Sequence, residues 1–125
     1  MKVLLESSAI IEYLKGNIYV RELLEKAEDF YASSLSVFEV LLGRVKEDEI
    51  LDFLSSFKIV PFTKKDSILA SKIYKKLKEK GKLIGIVDIL ISSQALNREL
   101  TLVSKDTDFL KIKEEFIDFK ILYIK

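Results

Sequence analysis

A chain of 125 residues with 49% hydrophobic and 33% charged residues is long enough to bury a core without staples and too apolar to stay disordered, and it reads as one domain over residues 1–125. The absence of cysteine and histidine excludes a disulfide framework, a thiolate nucleophile, a Ser-His-Asp triad and the usual zinc ligands. The net charge of +1, from 21 basic and 20 acidic residues, does not mark a nucleic-acid binder, and the chemistry left to an enzyme is that of carboxylates, most simply around a hard cation.

Val3, Leu4 and Leu5 predict a buried strand over residues 2–5. Glu6 ends it, and a helical pattern follows over residues 9–15, with Ser8 as the expected N-cap and Gly16 as the stop. A carboxylate at this handover stands at the carboxyl end of a strand, where open α/β sheets bind ligands; a solvated loop glutamate is the plainer reading. Val20, Leu23, Leu24 and Ala27 give a second helix over 19–29, and residues 30–35 a second strand. Ser36 to Glu39 opens a third helix carrying Val37, Val40, Leu41 and Leu42, with Gly43 near its end.

The charged turn KEDE at 46–49 leads into a short helix expected to pack Ile50, Leu51, Leu54 and Phe57. Residues 58–62 form a strand, placed at an edge or ended by Pro61. Thr63 and Asp66 resemble a capping box that opens a long helix through Ile68, Leu69, Ile73, Tyr74 and Leu77, closed by Gly81. Its end, KIYKKLKEKGK, holds six lysines and one glutamate; it suits a phosphate-facing patch or an ordinary solvated face. After a loop come an apolar helix over 88–97, a buried strand over 101–104, the polar stretch KDTD, a return of Phe109 and Leu110 to the core, and a last strand over 120–124. Strands alternating with helices predict an α/β fold: a central parallel sheet of four to five strands with helices on both faces. No apolar run reaches the about 18 residues of a membrane helix, and no signal-peptide pattern opens the chain, so the expected location is the cytoplasm.

Four acids share one position in this plan. Glu6 follows the first strand, Glu39 lies early in the helix after the second, Asp88 starts the apolar helix, and Asp106 follows TLVS. In a parallel sheet these points fall on one edge. Each also has a structural reading: Glu39 with Ser36 as a capping box, Asp88 as a helix-start charge, Asp106 and Asp108 as turn formers. Asp88 is hemmed by Ile86, Val87, Ile89, Leu90 and Ile91, so it is expected to be partly buried and to need a partner. Taken together, the acids argue for a metal site. Clustered carboxylates raise one another's pKa unless cations neutralise them. Oxygen-only ligation suits Mg²⁺ or Mn²⁺, and such ions can orient a phosphodiester and activate a water.

Four segments in order, VLLESSAIIEYLKG, LSVFEVLLG, KGKLIGIVDILISSQAL and LVSKDTDFLKI, resemble the motifs of the PIN domain, specifically the small VapC-type toxin ribonucleases, over nearly the whole chain. The resemblance implies a PIN-like fold, Mg²⁺- or Mn²⁺-dependent endonucleolytic cleavage of RNA, a homodimer and a VapB-type antitoxin partner. It implies catalytic roles for Glu6, Glu39, Asp88 and Asp106, metal ligation by Glu6, Asp88, Asp106 and Asp108, and supporting hydrogen bonds from Ser8 and Ser104. The family's first acid is normally aspartate, whereas this chain has Glu6. The extra methylene moves the carboxylate by roughly 1 Å, and a misplacement of that size can lower a rate on the order of a hundredfold. The alternative is therefore a weak or inactive PIN domain that binds RNA or a protein. A phosphoacceptor receiver domain has similar alternation, but the strand KIVPF ends without the acid that fold requires. The segments VRELLEKA and ILDFLSSF carry apolar residues suited to the core, to a dimer interface or to a groove for an antitoxin helix.

Overall fold

The computed structural model describes residues 1–124. Val3, Leu4 and Leu5 have no exposed surface, because β1 (Lys2–Leu5) is the central strand of a sheet covered on both faces. The chain continues through α1 (Ser7–Leu14), α2 (Ile18–Lys26), β2 (Asp29–Ser33), α3 (Ser34–Leu41), α4 (Glu47–Leu54) and β3 (Lys58–Val60). It then forms α5 (Lys64–Glu79), α6 (Ile86–Arg98), β4 (Thr101–Ser104), α7 (Phe109–Glu115) and β5 (Lys120–Tyr123). The strand order is β3-β2-β1-β4-β5, and every pair is parallel. This is the expected α/β architecture, with five strands.

Alternation along β1 divides the core in two. Val3 and Leu5 pack with Ile10, Val20, Val40 and Ile50 from α1 to α4. Leu4 packs on the other face with Ile73, Leu77, Ile89 and Phe109 from α5 to α7. The chain leaves β1 toward β2 on one side and returns through β4 on the other, so β1 and β4 flank a topological switch point at their carboxyl ends. Among the described residues no helix is long and apolar enough to cross a membrane.

Several boundaries differ from the expected ones. The N-cap of α1 is Glu6, not Ser8. The second strand ends at Ser33, whose Oγ accepts from the Leu35 N–H at 3.0 Å, so α3 starts two residues before Ser36. α6 likewise starts at Ile86, two residues before Asp88. β3 stops at Val60 on the sheet edge, as Pro61 requires. Leu51 is 48% exposed because the buried face of α4 is set by Ile50 and Leu54, and Leu51 lies a quarter-turn away. The expected core pair Phe109–Leu110 splits the same way: both open the unforeseen helix α7, and only Phe109 faces inward.

The capping box forms as expected: Thr63 Oγ1 accepts from the Asp66 N–H and Asp66 Oδ2 from the Thr63 N–H. Asp66 is also fully buried, where Arg98 Nη1 and Nη2 reach its two oxygens at 2.9 and 3.0 Å and Asn97 adds a third donor. Burial pushes the Asp66 carboxyl up, but Arg98, Asn97 and Thr63 outweigh it and hold the group well below the usual carboxylate range. The pair fastens the start of α5 to the end of α6. Arg98→Met is expected to lose about 3 kcal/mol of stability at neutral pH, the low end for breaking a buried pair, because the Arg98 side chain is 27% exposed. A depressed carboxyl stabilises the fold above its unfolded pKa and loses that contribution as pH falls through its folded pKa. Urea melts should therefore show the deficit at neutral pH and a smaller one in strong acid.

Candidate metal centre

The register aligns Leu5 with Ala32 on one side and Val103 on the other, so the chain leaves β1, β2 and β4 at one level of the sheet edge. Glu6 is the first residue past β1, and its N–H extends the ladder to Val103 O at 3.0 Å. Its carboxylate is 5% exposed by residue and held by hydroxyls. Oε1 accepts from Ser8 Oγ at 2.5 Å, Ser104 Oγ at 2.7 Å and the Ser8 N–H at 3.2 Å, while Oε2 accepts from Ser7 Oγ at 2.5 Å. The two supporting serines expected from the sequence thus meet on one oxygen. Each also takes a backbone donor, Ser8 from Lys105 N–H and Ser104 from Asp106 N–H, both at 2.9 Å. Ser7, which the sequence reading passed over, lies between two acids: its Oγ is also 3.3 Å from Glu39 Oε1. Its signal was only its place beside Glu6.

Glu39 sits in the second turn of α3, too far along for the Ser36 capping box; that role is overturned because Ser33 caps the helix. The Ser36 hydroxyl is buried without a partner among the described residues. Burial and then the Glu6 charge push the Glu39 carboxyl up, against the Ser7 hydrogen bond. Asp88 occupies the third position of α6 and is half-buried. Farther along that helix, Gln94 accepts from Ser33 Oγ at 2.5 Å and donates to Val60 O at 3.2 Å, which fixes α6 across the ends of β2 and β3. At residue 85 a Cβ would stand 3.4 Å from Asp88 Oδ2, so glycine keeps that side of the carboxylate open. Burial, then the charges of Glu6, Asp106, Glu39 and Asp108, push Asp88 up to about 7. Glu6, Asp106, Glu39 and Asp108 thus all lie near enough for their charges to bear on Asp88. Asp106 Oδ1 accepts from the Asp108 N–H at 2.9 Å, so Asp106 is a turn former as well as a neighbour of the cluster. Asp108 stands at the rim, its side chain 45% exposed and 3.7 Å from Lys111.

Among the described residues, Glu6, Glu39, Asp88 and Asp106 have no lysine or arginine within ion-pair distance; nearby Lys105 turns away to Glu12 at 3.0 Å. An all-oxygen donor set without an internal cation suits a hard divalent cation such as Mg²⁺ or Mn²⁺ better than zinc, which favours nitrogen and sulfur. Among the described residues no three acids converge on one point at ligand distance. The serine hydroxyls hold Oε1 of Glu6 to themselves. The six lysines of 72–82 fall on α5 and the turn after it: Lys72, Lys75 and Lys78 are exposed opposite buried Ala70, Ile73 and Leu77, and Lys82 bonds Glu114 and Glu115. The solvated-face reading accounts for them.

A carboxyl raised in the folded state stabilises the fold while it stays protonated, and that contribution is lost as pH rises from the unfolded value of 3.8 through about 7. Cation-free protein is therefore expected to melt at a lower temperature at neutral pH than in mild acid, and Asp88→Asn to flatten that slope. Scanning calorimetry with a chelator present checks this.

A profile of the PIN domain matches residues 3–115. The chain belongs to the PIN domain family. Within it, the chain is similar to Ribonuclease VapC3 of Methanocaldococcus jannaschii, 35% identical over 95 residues that make up 74% of this chain and 97% of that one. Among solved structures it is similar to VapBC2 from Rickettsia felis bound to a promoter DNA fragment, with a TM-score of 0.79, 26% identity and 98% of each chain covered. FitAcB from Neisseria gonorrhoeae gives a TM-score of 0.80 at 26% identity, over 98% of this chain and 96% of that one.

Proposed function

We propose that this PIN domain is a metal-dependent endoribonuclease that hydrolyses RNA phosphodiester bonds, acting in the cytoplasm as the toxin of a VapBC-type toxin–antitoxin pair. The observation that carries the reading is Asp88, with four further carboxylates gathered about it and no cationic side chain among Glu6, Glu39, Asp88 and Asp106. In this reading Glu6, Asp88 and Asp106 hold Mg²⁺ or Mn²⁺, with Asp108 contributing from the rim, and Ser8 and Ser104 fix the carboxylates. A bound divalent cation supplies the charge neutralisation and the lowered water pKa that the carboxylates cannot supply themselves. Glu39 orients the attacking water on the α3 side. The water oxygen bonds to phosphorus, the bond to the leaving ribose oxygen breaks, and the proton passes through a carboxylate to that oxygen.

The partner reading rests on a second surface. A groove of about 440 Å³ runs between α1, α2 and α4, where Tyr13 stacks on Phe53 at 4.3 Å and Arg21 lies 5.0 Å over the Tyr13 ring. Both apolar segments noted in the sequence contribute to it. Such a groove suits an amphipathic segment of a VapB-type antitoxin. Phe38 on α3 and Leu42 just past its end, 62% and 71% exposed, support the homodimer. Cleavage of single-stranded RNA with Mn²⁺, and its loss in EDTA and in Asp88→Asn, tests the nuclease. Light scattering tests the dimer. The hydroxyl grip on Glu6 favours one other reading, a weak PIN domain that binds RNA or a protein.

A further inference from the structure

Tyr123 ends β5 and pairs in register with Ser104. Ile121 packs with the α5–α7 core and Leu122 with the opposite one, so alternation turns Tyr123 toward α7. Ser104 already serves Glu6, which makes Tyr123 the next side chain outward in the same row. That row ends at the turn between β4 and α7, where the Asp106 N–H donates to Ser104 Oγ at 2.9 Å beside Tyr123 in the register. The Tyr123 phenol oxygen is buried and has no hydrogen-bond partner among the described residues. The Leu110 N–H points toward that oxygen but is already given to Thr107 O at 3.0 Å, so in any case the phenolic hydrogen has no acceptor. A buried donor left unused is unfavourable, because it has given up its hydrogen bond to water. In that turn Asp106 Oδ1 takes the Asp108 N–H, whereas Oδ2 has no donor among the described residues.

We infer that Tyr123 is a positioning residue for Asp106, its phenolic O–H donating to Asp106 Oδ2 in the cation-bound protein. The inference rests on the metal-centre reading above. It assigns the orphaned hydroxyl a function in the cation-bound state and explains why a tyrosine closes β5 where a phenylalanine would pack without the unsatisfied donor.

The test is a Mn²⁺ titration without RNA, followed by the rise in melting temperature and by the paramagnetic resonance of free Mn²⁺. Tyr123→Phe is expected to weaken Mn²⁺ binding about ten- to a hundredfold, the usual effect of losing a partner of a metal ligand. The melting temperature of the cation-free protein should hold or rise, since the orphan is removed. In an Asp106→Ala background, Tyr123→Phe should have no further effect on affinity. Unchanged Mn²⁺ affinity in Tyr123→Phe, or an equal loss in the Asp106→Ala background, overturns the inference alone. Wild-type protein that takes up no Mn²⁺ overturns it together with the metal-centre reading.

Discussion

Asp88→Asn is expected to lower RNA cleavage by at least about a hundredfold, since even partners behind a metal ligand are commonly worth ten- to a hundredfold, and at the same time to make the cation-free protein more stable. The two effects share one cause. Asp88 is half-buried at the start of α6, and burial together with Glu6, Asp106, Glu39 and Asp108 raises its carboxyl to about 7. Asparagine keeps the size and one oxygen but removes the charge, so it relieves the repulsion and removes the strongest claim on a cation. The stabilisation should be present at about pH 8, where wild-type Asp88 is ionised, and absent at about pH 5, where it is already protonated. A helix-start aspartate with no other role gives the opposite signs: its loss removes a favourable macrodipole contact, destabilises by up to about 1 kcal/mol and leaves cleavage alone. A second readout is the Mn²⁺-induced rise in melting temperature, which mass action ties to affinity and which Asp88→Asn should reduce.

The features legible in the sequence were those encoded by neighbours in the chain. Buried strands such as VLL and TLV are uninterrupted apolar runs, and an acid directly after such a run marks the sheet edge. That is enough for a parallel sheet of four to five strands, and for placing Glu6, Glu39, Asp88 and Asp106 on one edge of it. The start of α3 is not legible, because residues 33, 34 and 36 are all serine and the Ser33 hydroxyl is fixed by Gln94, 61 residues away. α7 went unseen because its seven residues mix charge and apolar side chains too briefly to show a period. The capping role of Asp66 is encoded locally by Thr63 three residues before it, but its bond to Arg98 spans 32 residues and has no local signature. The same holds for the hydroxyls on Glu6, since Ser104 lies 98 residues along the chain. Local chemistry placed the acids; only the fold shows what restrains them.

Glu6→Asp is expected to raise Mn²⁺-dependent cleavage by up to about a hundredfold, the scale on which a misplacement of roughly 1 Å acts. The reason lies in what holds the longer side chain. Glu6 Oε1 accepts three hydrogen bonds, from Ser8 Oγ, Ser104 Oγ and the Ser8 N–H, and Oε2 a fourth from Ser7. Oε1 so saturated has no lone pair left for a cation, which leaves Oε2 alone to ligate, and no three acids converge among the described residues. Aspartate is shorter by one methylene. It remains among the best N-caps, so α1 keeps its start and the bond to the Ser8 N–H. It reaches less far toward Ser104 and Ser7, so an oxygen that the hydroxyls now occupy becomes available to the side facing Asp88. The gain should appear in Mn²⁺ affinity as well as in rate, which separates a better-ligated site from a better-bound RNA. Cleavage by wild type that falls in Glu6→Asp would mean that the serines hold glutamate in its working position. No cleavage by either form, with both folded by circular dichroism, would leave the binding module as the reading that survives.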